Sequence, residues 1–122
     1  MFKYLKMQKE KIYIQSQTGI SFLDIKDILY CVAEGNYTKI MMTDNSSYIV
    51  SKHLKKIEEQ LPAPIFFRCH RSWIINLNHV KEMCRNQKRT LIMNNHEAIK
   101  LSVRNIAKFR KTIDLCFNSF KN

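Results

Sequence analysis

Apolar and polar residues alternate from Lys11 to Gln17, with Ile12 and Ile14 on one side and Tyr13 and Gln15 on the other. That two-residue period predicts a half-buried strand. Thr18-Gly19 is a turn signal, Ile20–Leu23 a second short strand, and Asp24 to Asp27 another turn. Ile28–Ala33 is an apolar run broken by Glu34-Gly35-Asn36. Tyr37–Met42 resumes as a strand, Thr43–Ser46 supplies turn chemistry, and Ser47–Val50 returns. This first half reads as a β-meander. The period then lengthens: Leu54, Ile57 and Leu61 fall at helical spacing, with Ser51 as the expected N-cap and Pro62 and Pro64 ending the element. A helix of about ten residues is too short to stand alone and must pack on a sheet.

Two aromatic and β-branched runs, Ile65–Phe67 and Trp73–Ile75, bracket the polar knuckle Arg68-Cys69-His70-Arg71-Ser72. They predict short buried strands that present the knuckle from a rigid scaffold. A strand from Asn78-His79 to Cys84, a basic loop Arg85–Arg89, and a hairpin of Thr90–Met93 and His96–Leu101 follow. Ser102–Asn105 opens a terminal helix striped by Ile106, Phe109, Ile113, Cys116, Phe117 and Phe120. The pattern predicts one mostly β domain over 11–122 with one internal and one terminal helix. Residues 1–10 lack a period and read as a lead-in or linker remnant.

Charge changes this picture most. The chain carries 21 Lys and Arg against 10 Asp and Glu, a formal net charge of +11 over 122 residues. Nearly all of the excess lies past residue 61, where 12 basic residues face 3 acidic ones. Such an asymmetry points the second half at a polyanion. The four cysteines form no C-x-x-C pair and sit beside apolar residues, so free buried thiols are expected rather than disulfides or a zinc knuckle. No apolar run approaches the roughly 20 residues of a membrane span, and no signal peptide opens the chain, so a cytoplasmic protein is expected. His70 beside Cys69, and Asn78-His79, faintly resemble nuclease or metal chemistry, but only Glu82, Glu97 and Asp114 supply carboxylates nearby. No glycine-rich phosphate loop occurs. No enzyme activity, cofactor or metal is expected.

Phe66-Phe67-Arg68-Cys69-His70-Arg71-Ser72-Trp73-Ile74-Ile75-Asn76-Leu77-Asn78-His79-Val80 resembles the signature segment of LytTR domains, the DNA-binding output domains of many bacterial response regulators. Ile28–Ile40, the helix-like Leu54–Pro62, and Leu101-Ser102-Val103-Arg104-Asn105-Ile106 agree in order and spacing, so the likeness runs from about Lys11 to Lys111. The resemblance implies small antiparallel sheets in an elongated arrangement, with duplex DNA contacted from loops rather than by a recognition helix. It places Arg71 and Arg104 at base edges. A third contact falls on the loop after Glu34, where Asn36, Tyr37 or Lys39 can take the role. An arginine fork suits a guanine edge, and an Asn can read adenine.

Lys39, Arg68, His70, Ser72, Arg85, Lys88, Arg89, Asn105 and Lys108 are candidates for the DNA backbone, with Lys81 and Lys100 further possible phosphate partners. The resemblance also implies two protomers on repeated sites, as a homodimer on DNA. A phosphorylated receiver domain is the usual companion. A chain of 122 residues has no room for one as well, so it reads as the output domain of a longer protein or as a stand-alone regulator. Two rivals remain at this level. One is a non-specific or RNA-binding basic module. The other is a protein-interaction domain using the Phe-rich terminal helix.

Overall fold

A computed structural model describes residues 10–16, 18–84 and 89–120. Residues 1–9 of the expected lead-in and most of the Arg85–Arg89 loop, including Arg85 and Lys88, lie outside them. The described chain is mostly β. Strands β1 (Lys11–Ser16) and β2 (Gly19–Asp24) form a hairpin of their own. Strands β3 (Ile28–Glu34), β4 (Tyr37–Met42), β5 (Ser47–Val50), β6 (Phe66–His70) and β7 (Trp73–Asn76) make a five-stranded antiparallel sheet in the order β5-β4-β3-β7-β6. Strands β8 (Val80–Cys84), β9 (Thr90–Met93) and β10 (Ala98–Lys100) make the third sheet, with β9 central. Helix α1 (Leu54–Glu58) follows β5 and helix α2 (Ile106–Cys116) ends the domain.

The central strands β3 and β7 of the five-stranded sheet are buried on both faces. On one face Ile28, Cys31, Ile40 and Ile74 pack with Ile12, Ile14 and Leu23 of the β1–β2 hairpin and with Leu54 and Ile57 of α1. On the other, Tyr30, Phe67, Cys69 and Ile75 meet Leu91, Met93 and Ile99 of the third sheet and Phe109 of α2. The Phe67 and Phe109 rings meet edge to face at 5.7 Å, which anchors α2 to the central sheet. Burial on both faces is why β3 and β7 read as continuous apolar runs. A register shift between Ile28 and Tyr30 lets consecutive residues Leu29 and Tyr30 enter the same core.

Several boundaries differ from the pattern's expectation. Helix α1 has five residues rather than about ten, and its N-cap position is His53, without a side-chain cap, rather than Ser51. The buried Thr38 hydroxyl donates to the Lys52 carbonyl at 2.6 Å, which ties the chain beyond β5 back to β4 before the helix starts. Leu61 is buried beyond the helix end, so its helical spacing marked burial only.

The Asp24–Asp27 turn contains a 3₁₀ turn, Ile25–Asp27, with Ile25 buried. Asn78-His79 also belongs to a 3₁₀ turn, Leu77–His79, capped by the Asn76 side chain, and β8 starts only at Val80. The terminal helix is preceded by a 3₁₀ turn, Val103–Asn105, and ends at Cys116. Phe117 is extended and Phe120 is 88% exposed, so neither continues the helix's buried stripe. The β-meander holds for β3, β4 and β5. β1 and β2 form a separate sheet, and β7 enters beside β3.

Candidate nucleic-acid interface

Antiparallel pairing brings three separate stretches to one end of the five-stranded sheet. The β3–β4 turn, the β6–β7 turn and the end of β5 all lie there, because Glu34 pairs with Tyr37, Val32 with Trp73, and Thr38 with Val50. Five strands at about 4.8 Å spacing make this end roughly 19 Å wide. Gly35, at φ +61°, is the first central residue of the two-residue β3–β4 turn, where hairpins need positive φ. Asn36 and Tyr37 are exposed there, and half-buried Lys39 follows Tyr37 on the same side of β4.

The β6–β7 turn is tied down at several points. The Ser72 carbonyl accepts from Ala33 N–H at 2.8 Å, which couples this turn to the end of β3. His70 Nδ1 accepts from Ser72 N–H at 3.1 Å. Arg68 turns inward: its Nη1 donates to Glu58 at 2.8 Å, its Nε to the His70 carbonyl at 3.1 Å, and its Nη2 to the Arg71 carbonyl. Arg71 itself is exposed and has no carboxylate within ion-pair reach among the described residues.

The segment before α2 is attached to the same structure. Ser102 N–H donates to the Cys69 carbonyl at 3.0 Å, and Leu101 N–H to the Arg89 carbonyl at 2.7 Å. Asn105 Nδ2 donates to Ser102 Oγ at 2.7 Å and, more weakly, to the Arg68 and Cys69 carbonyls at 3.4 Å each. These bonds hold exposed Arg104 close to β6 and bring Arg89 to the same margin. Lys108 is exposed in the first turn of α2, and Lys100 pairs with Thr90 at the Arg89 end of the third sheet. Lys81 sits nearer the opposite end of that sheet, beside the Val80–Met93 pair.

The structure therefore gathers Asn36, Tyr37, Lys39, Arg71, Ser72, Arg89, Arg104 and Lys108. It turns Arg68, the Asn105 amide nitrogen and His70 Nδ1 toward partners within the protein. Lys52 was absent from the sequence-derived set, yet it lies exposed at this end, fixed through its carbonyl by Thr38. The Thr38–Val50 pairing is the signal that places it, and that pairing becomes visible only once strand register is known. Glu34 is the one carboxylate in the β3–β4 turn and opposes this charge locally.

Cys69 lies directly beneath the β6–β7 turn, and burial pushes its thiol up to about 12. Burial does the same to Cys31, to about 12. Both stay protonated at neutral pH, unlike the thiolate that a nucleophile or metal ligand requires. Among the described residues no three His, Cys, Asp or Glu side chains gather to hold a metal. No described helix is long and apolar enough to cross a membrane.

The family model for the LytTr DNA-binding domain matches residues 18–114. Sensory transduction protein LytT of Bacillus subtilis (strain 168) is 35% identical over 75 residues, covering 62% of this chain and 31% of that protein. The transcriptional regulatory protein YpdB of Escherichia coli (strain K12) is 32% identical over 76 residues, with coverage of 62% and 31%. The heme-containing CO-sensing transcriptional regulator RcoM 1 of Paraburkholderia xenovorans (strain LB400) is 30% identical over 94 residues, with coverage of 76% and 35%. The chain thus spans about a third of the length of these relatives. A solved LytTr DNA-binding domain from Bacillus cereus superposes with a TM-score of 0.73 at 27% identity, covering 87% of this chain and 98% of the other. By sequence model and by fold, the chain belongs to the LytTR DNA-binding domain family.

Proposed function

We propose that this domain binds duplex DNA sequence-specifically in bacterial transcription regulation, reading it from turns at one end of its central sheet. Arg71 and Arg104 read base edges, and Asn36 or Tyr37 supplies a third contact. Lys39, Ser72, Arg89 and Lys108, with Lys52 added, neutralise phosphates, and Arg85 and Lys88 extend that set. The observation carrying this reading is the hydrogen-bonded link from Ala33 through Ser72 and Cys69 to Ser102, which holds two exposed arginines, without an ion-pair partner among the described residues, on neighbouring turns. Rigid presentation matters because a bidentate base contact tolerates little angular error.

Two protomers bind successive copies of a short site, and the domain works within a longer regulator, in keeping with the larger size of its relatives. A cytoplasmic setting follows from access to DNA. The domain acts by binding alone, without catalysis.

The test is selection from a randomised duplex pool, with binding of the winners repeated across a salt series. Enrichment of a short motif in two copies about one helical turn apart supports the reading. A log–log salt slope of about −0.9 per neutralised phosphate measures the size of the cationic set. Strong salt-sensitive binding without enrichment rejects sequence specificity and leaves a basic module to be tested on RNA.

A further inference from the structure

We infer that Glu58 and Arg68 form a clamp that sets the shape of the His70–Ser72 turn, which makes both positioning residues for base reading by Arg71. The inference rests on the function proposed above. It also reverses the sequence-level reading of Arg68, which placed that residue on a DNA phosphate.

The geometry is specific to a guanidinium. Three different nitrogens of Arg68 are engaged: Nη1 by the Glu58 carboxylate, Nε by the His70 carbonyl and Nη2 by the Arg71 carbonyl. The group is planar, so fixing its orientation on Glu58 also fixes the two carbonyls that receive its other bonds. The side chains of Arg68 and Glu58 are 29% and 39% exposed, leaving the pair partly screened by water but not free in it. A register shift between Arg68 and His70 marks where β6 leaves regular pairing, just where these carbonyls need other donors.

The rest of the turn is pinned independently. Ser72 N–H reaches His70 Nδ1, and the Ser72 carbonyl receives Ala33 N–H. The backbone on either side of Arg71 is thus held from both flanks, while its side chain stays exposed. The clamp also gives α1 a role. This five-residue helix buries Leu54 and Ile57 in the core and presents Glu58 to the back of the turn.

Arg68→Lys is the informative variant. Lysine keeps the positive charge that a phosphate contact needs, but it has no planar fork to join one carboxylate and two carbonyls. Amide hydrogen exchange of the free protein, read by NMR, tests the clamp without DNA. Exchange at Ser72, whose N–H is held by His70 Nδ1, should speed up by about tenfold in Arg68→Lys, with the buried amides of β3 and β7 unchanged. On DNA, the affinity ratio between the selected and a scrambled duplex should fall by roughly tenfold, within the range of one lost bidentate base contact. The salt slope should stay the same. Adding Arg68→Lys to Arg71→Ala should lower that ratio no further.

Glu58→Gln is the second variant. It keeps the shape of the side chain and removes its charge, so it reports the same two effects at smaller size should Arg68→Lys fail to fold. Unchanged turn exchange in both variants overturns the clamp. So does a normal affinity ratio in Arg68→Lys while Arg71→Ala still lowers it. A salt slope shallower by about 0.9 in Arg68→Ala but normal in Arg68→Lys makes Arg68 a phosphate contact instead, and overturns it too. If the wild type fails to discriminate between duplexes, the function proposed above falls, while turn exchange still decides whether the clamp exists.

Discussion

The two ends of the five-stranded sheet are built from the same strands but carry different chemistry. At one end lie Arg71, Lys39 and Lys52, with Arg104 and Arg89 drawn in through Ser102 and Leu101. At the other, Asp27 precedes β3 and Asp44 stands in the β4–β5 turn. Both ends are ordered, but differently. At the far end Thr43 N–H reaches the Asp27 carbonyl, and Asp44 accepts from the backbone N–H and hydroxyl of Ser46. There the ordering group is itself a carboxylate, satisfied within its own turn. At the near end the ordering groups are an arginine turned inward and backbone amides, which leaves other cations outward. Order alone therefore does not distinguish a reading surface. The near end displays more cations than the far one, where exposed Lys26 stands beside Asp27 and Asp44, and that difference makes the near end the candidate reading surface.

Four perturbations sharpen or break this contrast. The largest effect should come from Phe109→Ala, which removes the ring that docks α2 on Phe67. Chemical denaturation should show a loss of about 3–5 kcal/mol, and the Arg104 turn should lose its support along with the helix. Next, Arg71→Ala should reduce discrimination between the selected and scrambled duplexes by about 1–3 kcal/mol without lowering the melting temperature, whereas Asp44→Ala should leave discrimination intact. Equal effects from the two ends in a competition titration would erase the distinction between them.

A smaller change is expected from Lys52→Ala. Binding to any duplex should weaken, and the salt slope should become shallower by about 0.9, read by fluorescence anisotropy at several salt concentrations. Adding a lysine at the far end, as Asn45→Lys, should leave the slope unchanged.

The smallest effect concerns acid. Hydrogen bonds from the Ser46 hydroxyl and backbone hold the Asp44 carboxyl below its usual range. The folded state then binds fewer protons there than the unfolded state, so the contribution of this turn is present above the ordinary carboxylate range and fades as pH falls through the lowered value. NMR titration should give Asp44 a midpoint below that of an unfolded-peptide control, and Ser46→Ala, which removes the hydroxyl but keeps the backbone N–H, should narrow that gap.

Much of this architecture was legible because apolar runs and turn residues are local signals. Lys11–Gln17, Tyr37–Met42 and Ser47–Val50 announce strands by their own sequence, and the break at Glu34-Gly35-Asn36 announces the turn. The Arg71 and Arg104 segments were legible through their likeness to a family signature, and both emerged as exposed arginines on turns. What stayed hidden depended on partners distant along the chain. Arg68 looked like one more surface cation because its carboxylate partner, Glu58, lies across a helix-to-strand connection. Ser51 looked like an N-cap because nothing local reveals that Thr38 holds the next residue's carbonyl. Phe117 and Phe120 fit the helical stripe, yet the helix stops at Cys116 and leaves them outside. Periodicity states which residues share a side, but not whether the element lasts long enough to use it.

A central strand buried on both faces raises a problem of alignment. Neighbours Ile74 and Ile75 feed opposite cores, and both are fully buried. If β7 slid by one residue, much of its apolar side-chain set would change sides without reaching water, so the usual hydrophobic penalty against slippage is weak. The polar atoms must then choose the alignment. Asn76, buried at the end of β7, donates to the Ile28 carbonyl at 2.9 Å and caps the following turn, and Thr38 does the corresponding work between β4 and the chain after β5. These two buried polar side chains act as the notches of a key: the greasy strands supply the grip, and the amide and hydroxyl decide which tooth meets which.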